Sequence, residues 1–70
     1  MKKIFVYLKD GHTWYGANDK STNYNEDDNL ITFNETDEVE YEKNWITITN
    51  YKTKIKEHFD LKDIKKIVIH

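Results

Sequence analysis

Residues 4–8, Ile-Phe-Val-Tyr-Leu, place apolar side chains on both sides of what reads as one β-strand. A sheet with one wet face alternates apolar and polar positions instead. Within 70 residues there is little chain to spare for a separate covering layer. Two-sided strands in so short a chain are most simply buried by a sheet that curls over itself, as a small barrel does.

The remaining residues favour that solution. Ile, Val, Thr, Tyr, Phe and Trp recur throughout, whereas good helix formers are scarce: Ala17 is the only alanine, there are three leucines, and glutamine and arginine are absent. Without proline, no central strand is forbidden. Lys9-Asp10-Gly11-His12 centres on Asp-Gly, which suits a type I′ turn. A hairpin there sets Tyr7 opposite Trp14 and Phe5 opposite Gly16, gathering Phe5, Tyr7 and Trp14 on one face. Residues 18–29 read as a polar loop, 30–34 and 45–50 as strands, and 35–44 as an acidic connection with room for a short edge strand. Tyr51 to Leu61 keep a period of two, Asp60 to Ile64 look like a single turn, and Ile67 and Ile69 share a face of a last strand. The expectation is one all-β domain over residues 1–70: a small antiparallel five- to six-stranded curled sheet or barrel, with at most one short helical turn near residues 60–64.

The stretch "VYLKDGHTWYGA", with Gly11 and Gly16 five apart, is similar to the first signature of Sm-like proteins. The ending "DLKDIKKIVI" resembles the close of Sm-like and SH3-like barrels. The resemblance covers residues 4–17 and 61–69 and implies a barrel-like topology. It implies no RNA-binding residues, because Asn18 and Asp19 fall too early for the uridine pocket. The second signature's Arg-Gly, or Tyr-Lys-His, is missing as well. The short, Asn-, Lys- and Ile-rich make-up also resembles that of small accessory proteins of phages and prophages.

Chemistry for catalysis is sparse. There is no cysteine, and Ser21 is the only serine, so nucleophilic attack has little to work with. His12, His58 and His70 show no zinc-ligand spacing. Neither an enzyme nor a metal or other cofactor is expected. The apolar run before Lys9 is too short for a signal sequence or a membrane span, so a cytoplasmic protein is expected.

Charge is segregated: residues 1–18 carry +2, 19–42 carry −8 and 43–70 carry +4, within a net −2. An acidic segment with Glu38, Glu40 and Glu42 can occupy a basic groove, or simply keep the chain soluble and guard an edge strand. The aromatic residues Phe5, Tyr7 and Trp14, with Trp45 near them, are of the type that anchors interfaces. They serve equally as a second packed layer or a homodimer seam. Together these features give the leading expectation, a small non-enzymatic protein-binding module. It would be a phage- or prophage-encoded inhibitor of a host or defence protein, with Phe5, Tyr7, Trp14, Glu38, Glu40 and Glu42 at the interface. The alternatives are an Sm-like or SH3-like nucleic-acid-binding module using Lys52, Lys54 and Lys56, and a structural homo-oligomer.

Overall fold

A computed structural model describes residues 2–14 and 21–70, with Asp37 described in its backbone alone. Among these residues are six strands: β1 Lys2–Leu8, β2 Thr22–Asn25, β3 Leu30–Tyr41, β4 Trp45–Asn50, β5 Lys56–Asp60 and β6 Ile64–Ile69. A single 3₁₀ turn, Leu61–Asp63, joins β5 to β6. All pairings are antiparallel, in the order β5-β4-β3-β1-β6, and β2 also pairs with β3. The result is a curled half-barrel, as the two-sided strand requires.

The curl originates in β3. Its first half pairs with β1 on one flank and β2 on the other, and its second half pairs with β4. β2 and β4 therefore lie end to end along one flank. They meet where Asn50 Nδ2 donates to Ser21 Oγ at 2.6 Å, beside the backbone bonds Asn34 N to Ser21 O and Tyr51 N to Glu35 O. At Thr36 the register slips against both Lys2–Ile4 of β1 and Asn50–Thr49 of β4, each slip adding one extra β3 residue. Extra residues of this kind bend and twist a strand.

The core collects Ile4, Val6 and Leu8 of β1, Ile31 and Phe33 of β3, Ile46 and Ile48 of β4, and Phe59 of β5. A chain of edge-on ring contacts runs Tyr24–Trp14–Phe33–Phe59, with centroids 6.2, 6.0 and 5.9 Å apart. Such geometry adds to simple area burial.

Four sequence expectations need correction. The Asp10-Gly11 turn forms, with His12 N donating to Lys9 O, but only Gly11 has positive φ (+86°). That pattern suits a type II turn, which does not carry strands back with the right twist. Residues 12–14 accordingly do not pair with β1, whose two flanks belong to β3 and β6. The expected partners of β1 beyond Trp14, Gly16 among them, lie outside the described residues.

The polar loop at 18–29 contains a strand, β2, and Asn25 closes its turn by accepting from Asp27 N and Asp28 N. The acidic connection is no separate strand: residues 35–41 continue β3, and 38–41 pair with β4 on one flank only, as an edge does. Tyr51–Thr53 form a turn instead of extending β5, leaving Ile55 exposed. No helix among the described residues is long and apolar enough to cross a membrane.

Candidate functional site

The sheet register separates the residues that the sequence grouped together. Phe5 and Tyr7 point outward from β1, opposite Val68 and Lys66 of β6. Trp14 lies on the opposite, core side, against Phe33 and Tyr24. The expected Phe5–Tyr7–Trp14 face is therefore not assembled, because without the hairpin nothing brings Trp14 across β1.

The acidic residues, by contrast, are joined by a different tryptophan. On the outer face of the sheet, Glu38 and Glu40 of β3 oppose Thr49 and Thr47 of β4, which oppose Lys56 and His58 of β5. Glu42 N donates to Trp45 O at 2.9 Å, and Trp45 pairs with Asp60. Trp45 thus stands in a row between Glu42 and Asp60. It is 45% exposed, an unusual state for the largest side chain in a protein with so small a core. Thr47 and Thr49 are buried beneath the longer neighbours. Thr47 Oγ1 shares a hydrogen bond with His58 Nδ1 at 2.9 Å, and Lys56 Nζ approaches Glu40 Oε1 at 4.0 Å.

Trp45 also forms the lip of a cleft of about 460 Å³ at this end of the half-barrel, lined further by Trp14, His12, His58, Asp60 and Asp63. The 3₁₀ turn delivers Asp63, whose Oδ1 lies 3.7 Å from His12 Nε2. Lys9 N donates to Asp63 O at 3.0 Å and fixes the turn against the end of β1. Among the described residues, no lysine or arginine lines the cleft. Its chemistry is that of an aromatic anchor with carboxylates on two sides, which favours cationic and apolar groups of a partner. Among the described residues, no three His, Asp or Glu side chains are grouped to hold a metal. Comparison with protein-family models, with curated proteins and with solved structures gave no match.

Two of the three lysines considered for nucleic acid are paired with carboxylates, and the third lies over an aromatic ring. Lys52 Nζ is 3.6 Å from Glu35 Oε1, Lys56 meets Glu40, and Lys54 Nζ lies 5.5 Å above the Tyr51 ring. Asp60 and Asp63 were missed as site residues. The signal for Asp60 is the β4–β5 register, which the sequence does not display.

Proposed function

We propose that this chain is a small non-enzymatic protein-binding module with an SH3-like barrel topology. It docks a basic surface of a partner protein against Trp45 and the carboxylates around it. The topology reading is supported by a long bent strand shared between both halves of the sheet. A 3₁₀ turn before the closing strand and the pairing of that strand with β1 agree with it. The observation that carries the function is the half-exposed Trp45 held between Glu42 and Asp60 at the lip of the cleft.

A tryptophan presented this way supplies large contact area at low entropic cost, and the flanking acids steer a basic partner toward it. Glu38, Glu40 and Glu42 extend that field along the outer face. Such a module acts by occupying a site on its partner, as a phage- or prophage-encoded inhibitor of a host or defence protein would. The lysine-rich alternative is weaker, since Lys52 and Lys56 are already paired with carboxylates.

The test is selection of a displayed random-peptide library on the immobilised protein. The expected winners carry Lys or Arg, lose binding to Trp45→Ala, and weaken when Glu38, Glu40 and Glu42 are changed together to Gln. Failure to recover any binder that depends on Trp45 overturns the proposal.

A further inference from the structure

A second surface, on the other half of the sheet, has the opposite character. Along the outer face of β1, Phe5 and Tyr7 stand two residues apart, roughly 7 Å along the strand. Phe5 is opposite Val68 and Tyr7 opposite Lys66 on β6, while Thr32 and Leu30 flank them on β3. Lys3 and His70 exchange both backbone hydrogen bonds, at 3.2 and 2.9 Å, and so share this face. Beyond β3, the registered outer positions of β2 are Asn23 and Asn25.

No position in this register is an Asp or Glu, although the chain has 13 of them and a net charge of −2. The cations sit on the rings: Lys66 Nζ is 4.7 Å from the Tyr7 centroid and Lys3 Nζ 6.0 Å from that of Phe5. The His70 ring meets Phe5 edge-on at 5.4 Å. Tyr7 and Lys66 also line a cleft with Asp10, Asp27, Asp28 and Lys65, and those carboxylates bound the strip at that end.

We propose that this outer face of β1 and β6 is a binding site for single-stranded nucleic acid. The bases stack on Phe5 and Tyr7, and the backbone phosphates are met by Lys3 and Lys66. Two flat rings on a central strand, with ammonium groups at hand and amide and hydroxyl side chains beside them, match what such a strand offers. It presents π-faces, phosphates and exposed base edges at once. A basic aromatic strip complements a polyanion, while the glutamates on the outer face of β3 repel it. The site uses none of Lys52, Lys54 and Lys56, and it is independent of the Trp45 cleft.

The experiment is fluorescence anisotropy of labelled oligothymidine and oligouridine, at salt concentrations from about 20 to 200 mM. Binding is expected at low salt, and the logarithm of affinity should fall with log salt at a slope of about −1.4 for two lysine–phosphate contacts. Phe5→Leu with Tyr7→Leu should weaken binding roughly tenfold or more. Lys3→Gln with Lys66→Gln, which leaves the core face untouched, should flatten the salt slope, and Trp45→Ala should change nothing. Three results overturn the proposal: no anisotropy change with either oligonucleotide at low salt, a salt slope unaltered in the lysine variant, or loss of binding in Trp45→Ala.

Discussion

Thr36 is the residue on which β3 bends, paired to Lys2 on one side and Asn50 on the other, and it is 1% exposed. Its Oγ1 has no hydrogen-bond partner among the described residues. A buried polar group left unsatisfied costs roughly 1–3 kcal/mol. Thr36→Val replaces that hydroxyl by a methyl of similar size and keeps the β-branch that suits a strand. Allowing for imperfect fit, the substitution should stabilise the fold by about 1 kcal/mol. A domain of this length has roughly 3.5–10 kcal/mol of total stability, so the gain is a visible fraction of it. Thermal unfolding followed by circular dichroism should show Tm raised by about 4–8 °C, with the urea m-value unchanged. Thr36→Ser keeps the hydroxyl and removes the methyl, and it should lower Tm. If Thr36→Val also lowers Tm, the hydroxyl makes a stabilising bond and the reasoning about the bend is wrong.

Phe33→Ala removes the ring that links Trp14 to Phe59. Its cost of roughly 3–5 kcal/mol should remove about a third or more of the domain's stability, as urea titration followed by circular dichroism would show. Asn29 has φ +51°, donates Nδ2 to Lys9 O at 2.9 Å, and accepts from Tyr24 OH at 2.9 Å. Asn29→Ala should therefore cost about 2 kcal/mol and Asn29→Gly less, an order that urea titration can check. A Cβ at Gly11 meets nothing within 4 Å, so Gly11→Ala should cost only the backbone strain of positive φ, about 1 kcal/mol in urea titrations. A double-mutant cycle on the partly exposed Glu40–Lys56 pair should return at most about 1 kcal/mol of coupling.

Strands were legible where β-branched residues cluster. Trp45–Asn50 shows Ile and Thr in alternation and Ile67-Val68-Ile69 is β-branched throughout, while the helical turn at Leu61–Asp63 falls where that pattern lapses. β2 was illegible because Thr-Asn-Tyr-Asn is polar: only Thr22 and Tyr24 turn toward Ile31 and Phe33, and the outer side of a flanking strand tolerates asparagine. The acidic run of β3 misled in a similar way. Its glutamates cover Thr47 and Thr49, which fill the place that an apolar residue would mark. The Asp-Gly pair was right about the turn and silent about the path of residues 12–14. Whether a chain returns along its own strand depends on which other strands compete for that edge, and here β3 and β6 take both edges. The acidic half of the site was visible as composition, but its junction with Trp45 and Asp60 belongs to the register alone.

β3 takes part in every pairing except β1–β6 and β4–β5, and both its flanks are paired between Leu30 and Thr36. No half of the sheet can detach while the other keeps a complete neighbour, so the domain should open as one cooperative unit. Amide protons of Ile31 and Phe33 should exchange with solvent only through global unfolding, whereas those at the free margins of β5 and β6 escape through local fraying. A fragment ending before residue 30 would leave β1 without the strand that fills its inner flank, and no isolated hairpin of this chain can stand in for the whole.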